Sequence, residues 1–184
     1  MEIEAAVDAM RGFVARSDWA GLANKFAQEC ARVDPGAAHE AMSVDLGSYT
    51  AALTRDIATA TEVTRPKTRA VLWEFDVDND WSSSFFFCST YRPEVANDDD
   101  WAADFDADMT TRSVSMPAIA ALRPASWNGS DVDAARNALL VARTIACFGR
   151  ASAAWTGSTP LCAGYHDQSV VFRLVADRVS LAGT

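Results

Sequence analysis

Long apolar runs are missing from this chain: none approaches the roughly 18 consecutive residues that a membrane-spanning helix needs. The opening Met1-Glu2-Ile3-Glu4 lacks the basic stretch of a secretory signal. A cytoplasmic location is therefore expected. Lysine is scarce, with two against fourteen arginines, a bias expected of a GC-rich bacterial genome. There are two histidines, His39 and His166, and no pair of cysteines spaced C-x2-C, so zinc coordination has no ligand set. The four cysteines, Cys30, Cys88, Cys147 and Cys162, lie far apart and read as small buried hydrophobes rather than disulfide partners. The chain has no G-x-S-x-G elbow, no Walker A sequence and no G-x-G-x-x-G. Those gaps remove the commonest nucleophile and nucleotide signatures.

What is present is acid. The formal net charge is −9 over 184 residues, a length that predicts one domain spanning 1–184. A net-negative surface repels phosphates, so nucleic acid and anionic membranes are both disfavoured as partners. The acids are concentrated. Between Glu74 and Asp108 eleven of them stand against one base, Arg92, for −10; the remainder holds fourteen acids and fifteen bases, for +1. Like charges held this close cost folding stability, which implies a compensating role.

Periodicity divides the chain into a helical subregion, 1–62, and a sheet-containing one, 68–184. Ile3, Ala6, Val7, Met10, Phe13 and Val14 recur at helical spacing over 2–16. Ser17 or Asp18 caps a second helix carrying Trp19, Leu22, Phe26 and Cys30 on one face, and Asp34-Pro35-Gly36 turns the chain. A third helix is expected from Ala41 to Ala60. After Pro66 the period changes from 3.6 to 2. In Arg69–Val77, Val71, Trp73, Phe75 and Val77 share one face, and Leu72, Glu74 and Asp76 share the other. Ser83–Tyr91 follows across the Asp78-Asn79-Asp80 turn, predicting an antiparallel hairpin. Further on come a short helix or ordered loop within Asn97–Asp108, a strand at Thr110–Val114 and a short helix from Pro117 to Leu122. A long helix runs from the Ser130 or Asp131 cap to about Trp155, and strands follow at Leu161–Tyr165 and Ser169–Val175. The expected fold is α+β. An N-terminal helical layer packs on a four- to five-stranded, mainly antiparallel sheet, with the long late helix on the same face.

The acidic motifs fail the tests of cation loops. Asp76-Val77-Asp78-Asn79-Asp80 opens like a calcium loop but has Trp81 where glycine is required and Phe87 where a bidentate glutamate is required. The Asp104–Asp108 run fails likewise, with Met109 and Ser115 at those positions. Cys162, His166 and Asp167 are the types of a nucleophile set, but Cys162 and His166 on one strand stand ~13 Å apart and cannot bond directly. No catalytic residue, metal ligand or cofactor is therefore assigned. An alternative keeps the carboxylates Glu74, Asp76, Asp78 and Asp104 as an enzyme's acid–base groups or a divalent-cation site. The leading reading is surface recognition. Acids alternate with Trp73, Trp81, Tyr91, Trp101 and Phe105, and aromatics supply contact area while acids complement lysine and arginine. The expected partner-binding residues are Asp76, Asp78, Asp80, Trp81, Asp98, Asp99, Asp100, Trp101 and Asp104, facing a basic protein. A self-contact through Trp81 or Trp101 would instead make a homo-oligomer.

The stretch Val71-Leu72-Trp73-Glu74-Phe75-Asp76-Val77-Asp78-Asn79-Asp80-Trp81, continued through Phe85-Phe86-Phe87-Cys88 to Asp98-Asp99-Asp100-Trp101-Ala102-Ala103-Asp104, resembles small, mostly uncharacterised bacterial proteins of the immunity type found beside polymorphic toxins. The resemblance covers residues 71–104 and brings no catalytic residues. It implies a non-enzymatic inhibitor whose basic partner is a toxin.

Overall fold

The computed structural model describes residues 3–92, 100–106, 109–124, 126, 129–166 and 171–175; for Ile3, Glu4, Asp100, Trp101, Val171 and Val175 it describes the backbone alone. Four helices come first: α1 (Ile3–Ala15), α2 (Trp19–Val33), α3 (Pro35–Ser43) and α4 (Gly47–Val63). The hairpin β1 (Ala70–Asp76) and β2 (Ser82–Cys88) follows, then a 3-10 turn at Asp100–Ala103, β3 (Thr111–Arg112) and α5 (Pro117–Ala120). The long α6 (Asp131–Ala151) leads through a second 3-10 turn, Ser152–Ala154, to β4 (Leu161–Tyr165) and β5 (Val171–Val175). The fold is α+β, as the periodicities predict.

The five strands lie in the order β3-β2-β1-β4-β5. Every neighbouring pair is antiparallel except β1 and β4, which run parallel because the chain leaves the hairpin and returns through α6. Strand alternation sends Val71, Trp73, Phe75, Phe85 and Phe87 into the core. There the Trp73 ring stacks on Phe148 of α6, with centroids 4.2 Å apart and planes 4° apart.

α6 is buried along almost its whole length, from Ala135 to Gly149 with Arg136 only partly covered. A helix apolar on one stripe needs one partner, and one buried all round needs partners on both sides. Phe148 and Thr144 meet the sheet side: the Trp81 indole N–H donates to Thr144 Oγ1 at 2.9 Å. The opposite side meets the N-terminal helices, where Cys147 Sγ lies 3.1 Å from Thr50 Oγ1 and Arg136 pairs with Glu40 at 2.8 Å. Ser130, not Asp131, caps the helix, its hydroxyl accepting from the Asp133 N–H at 3.1 Å.

Two caps at the N-terminal end follow the sequence closely. Asp18, not Ser17, caps α2, accepting from the Gly21 N–H at 2.8 Å. Asp34 serves two helices: its N–H closes α2 on the Cys30 carbonyl at 2.8 Å, and its carboxylate caps α3 through the Ala37 N–H at 2.9 Å.

The expected single helix from Ala41 to Ala60 is corrected. The chain breaks at Val44–Leu46, and α3 and α4 are separate. Val44 is extended, Asp45 accepts from the Gly47 N–H at 2.8 Å, and Leu46 turns inward to 7% exposure. Arg143 of α6 fixes the break. Its guanidinium donates to the Ala41 carbonyl and, at 2.7 Å, to the Val44 carbonyl, satisfying acceptors that an ending helix leaves open. A cation at a helix C-terminus also complements the helix dipole.

Close approach of α6 to α2 depends on Gly149. A methyl group there would sit 2.6 Å from the Trp19 ring carbons, inside any real contact. Gly149→Ala is expected to lower stability by about 1–3 kcal/mol through overpacking. Gly12→Ala in α1 meets only the far end of Arg16 at 3.6 Å and is expected to raise stability by about 0.5–1 kcal/mol. Chemical unfolding of both variants checks the opposite signs.

Candidate functional site

The face of the sheet turned away from α6 carries the alternate residues of each strand: Ala70, Leu72, Glu74 and Asp76 on β1, Ser82, Ser84, Phe86 and Cys88 on β2, Cys162 and Gly164 on β4. It divides into two halves. In the apolar half Ala70, Leu72, Cys88 and Cys162 are buried, with Phe86, Tyr91 and Ala102 packed against them. The segment 100–106 covers this half. The Ser89 N–H donates to the Asp104 carbonyl at 2.9 Å, the Asp106 N–H donates to the Phe87 carbonyl at 3.1 Å, and the Phe86 and Phe105 rings meet edge to face at 4.7 Å.

The polar half is an open groove of about 570 Å³, lined by Glu74, Asp76, Asp80, Ser82, Ser84, Arg112 and His166 among others. Register builds it. Glu74 lies opposite Ser84 and Asp76 opposite Ser82, and Ser84 lies opposite Arg112 of β3. Short hydroxyls form the floor, and longer side chains stand around it. His166 follows β4 with the parity of Cys162 and Gly164, its N–H bonded to the Phe75 carbonyl at 3.0 Å. Its imidazole Nδ1 lies 2.9 Å from Glu74 Oε1.

Cys162 and His166 stand apart, as their spacing on one strand predicts. Cys162 is fully buried in the apolar half, and His166 lies in the polar half against Glu74; Asp167 lies outside the described residues. All four cysteines are buried free thiols.

The expected partner-binding residues fare differently from one another. Trp81 is corrected: it is fully buried, stacked near Phe75 and bonded to Thr144, so it offers no surface to a partner or to a second copy. Its backbone shows the cost of getting there. Asp80 and Trp81 both adopt φ of 52°, a left-handed conformation that is a true outlier for a bulky residue. Burial of the indole offsets that strain. Asp80 is exposed on the same turn, and Asp104 is exposed on the covering segment. Asp76 accepts from the Asp78 N–H at 2.9 Å, and Asp78 pairs with Arg123. Asp98 and Asp99 lie outside the described residues; Asp100 and Trp101 begin the 3-10 turn that covers the apolar half. Among the described residues no group of three or more His, Cys, Asp and Glu side chains is placed to hold a metal ion. No helix among them is long and apolar enough to cross a membrane.

Sequence reasoning overlooked Ser82, Ser84, Arg112 and the Glu74–His166 pair. The available signals were three consecutive serines in a strand, where β-branched and aromatic residues are usual, and the even spacing of Cys162, Gly164 and His166. No protein-family profile matches the chain, and neither a curated protein nor a solved structure is significantly similar to it.

Two measurements test this description. Trp81→Phe removes the indole donor and leaves Thr144 without it; a loss of about 1–3 kcal/mol is expected in chemical unfolding. The second concerns Cys88, whose thiol is pushed up to about 12 from an ordinary 9.0, chiefly by burial and then by the Asp104 and Glu74 carboxylates. The folded state thus holds this proton more tightly than the unfolded chain. Its contribution to stability is complete below about pH 9 and is lost as pH rises toward about 12. Stability is expected to fall over that range, and Cys88→Ser is expected to flatten the alkaline slope whatever its effect at neutral pH.

Proposed function

We propose that this chain is a non-enzymatic, cytoplasmic protein-interaction module, a toxin-neutralising immunity protein, which binds a basic partner through the open side of its sheet. One observation carries this reading: four of the acids among the described residues lie on one side of the molecule. Glu74 and Asp76 reach that side by strand alternation, Asp80 stands on the adjoining turn, and Asp104 stands exposed on the segment lying over the same face. Acids gathered on one side steer a basic partner into encounter, raising association rates more than they raise contact energy.

The alternative of carboxylate chemistry has one observation in its favour, the bond between Glu74 and His166. Against it, Asp78 already pairs with Arg123, which leaves fewer carboxylates to converge on a substrate or cation.

The test takes the product of the gene beside this one as partner. Co-expression is expected to relieve its toxicity, and the purified pair is expected to associate in a salt-dependent way. Reversing charge at Asp98, Asp99, Asp100 and Asp104 to lysine is expected to slow association by roughly ten-fold or more. Unchanged association kinetics in that variant would remove the acidic side as the binding surface. Unrelieved toxicity together with no binding would remove the immunity reading.

A further inference from the structure

Resting on that reading, we propose that the groove on the polar half of the open face is a dipolar recognition site. It takes an extended segment of the basic partner that carries a lysine or arginine and, two residues along, an aspartate or glutamate.

The groove holds acids and an arginine that do not pair with each other, while Glu74 is already hydrogen-bonded to His166. Glu74, Asp76 and Asp80 line one side, and Arg112 lines the other. Arg112 makes no ion pair with them and has no other ion-pair partner among the described residues. Elsewhere on this surface opposite charges within reach do pair, as Asp78 with Arg123 and Asp106 with Lys67. The register explains the difference. Arg112, Ser84 and Glu74 occupy consecutive strands in one row, so the Arg112 and Glu74 backbones are about 10 Å apart across two strand spacings. Serine between them is too short to bridge the gap and able to donate or accept to whatever fills it.

The dimensions select the ligand. In an extended segment, residues i and i+2 project from one face about 6.5–7 Å apart. A lysine or arginine arm directed at Glu74 and Asp76, with a carboxylate two residues along directed at Arg112, spans the row. The carboxylate can take the planar guanidinium fork through two parallel bonds. A groove of about 570 Å³ falls within the usual range for a small ligand or a few side chains. A simple anion would engage Arg112 alone, and a simple cation only the acids, each leaving the opposite pole solvated.

The probes are three capped peptides: acetyl-Arg-Ser-Asp-amide, the same with citrulline for arginine, and the same with asparagine for aspartate. Titrations followed by NMR are expected to give saturable millimolar binding of the first, with each control weaker by about five-fold or more. Arg112→Ala is expected to abolish the preference for aspartate over asparagine. The Glu74→Gln, Asp76→Asn double variant is expected to abolish the preference for arginine over citrulline. Each preference should survive in the other variant, which a general loss of folding would not allow. Equal binding of all three peptides, or no saturable binding of any up to about 20 mM, would overturn the proposal. Failure here with partner binding still sensitive to the Asp98–Asp104 charge reversal leaves the interaction module standing without this groove. Loss of both removes the module.

Discussion

The burial of α6 on every side is the constraint that the rest of the structure serves. A helix without a solvent face has to find partners for its polar groups inside the protein, because a buried donor or acceptor without one, as Asn137 Oδ1 is here, costs about 1–3 kcal/mol. Thr144 answers on the sheet side by bonding the Trp81 indole, and Ser152 closes the C-terminal end on the Gly149 carbonyl at 2.7 Å. Arg143 answers on the helix side. Its guanidinium is held below its ordinary range of basicity by burial, and two backbone carbonyls receive its N–H groups. The helix therefore acts as a spine to which the hairpin turn and the α3–α4 corner are each tied by a specific bond.

That role explains features that look costly in isolation. Trp81 tolerates a left-handed backbone because the turn delivers its ring to α6. The α3–α4 break costs helical hydrogen bonds, yet it aims two carbonyls at Arg143 and lets Leu46 into the core. Gly149 gives up helix propensity so that the Trp19 ring can lie against the helix backbone. Each is a local departure from good helix or turn chemistry, offset by a contact with the same element.

The sequence was most readable where one period dominated. Alternation in β1 separated the core residues Val71, Trp73 and Phe75 from Glu74 and Asp76 correctly, and the apolar face of α2 emerged as Leu22, Phe26 and Cys30. Prediction failed where a distant residue overrode a local pattern. Within 41–60 only Asp45 and Gly47 hint at a break, and Arg143, which holds it, lies about a hundred residues away and reads there as one more charged position on a helix. Trp81 follows the two acids of a turn and reads as a surface aromatic; only the space beside Thr144 makes it core. The groove escaped notice for the same reason. Ser84, Glu74 and Arg112 become neighbours through strand order, and Arg112 belongs to a strand of two residues that carries almost no periodic signal.

The same spine accounts for the uneven charge. Because α6 and the N-terminal helices all gather on one face of the sheet, the other face has no helix among the described residues to cover it, and alternation must fill it from the remaining residues of each strand. At one end the chain folds its own segment 100–106 over Leu72, Cys88 and Cys162, so apolar residues suit that end. At the other end no such cover exists among the described residues, and Glu74, Asp76 and the serines line an open groove. Local pairing then reduces the repulsion: Lys67 meets Asp106 and Arg123 meets Asp78. Exposed pairs of this kind contribute little stability, about 0–1 kcal/mol each. They therefore make the acidic side tolerable rather than favourable, and folding alone supplies no reason to place eleven acids in this stretch. The excess over what a wet strand face requires is the part of the sequence that the proposed binding function would explain.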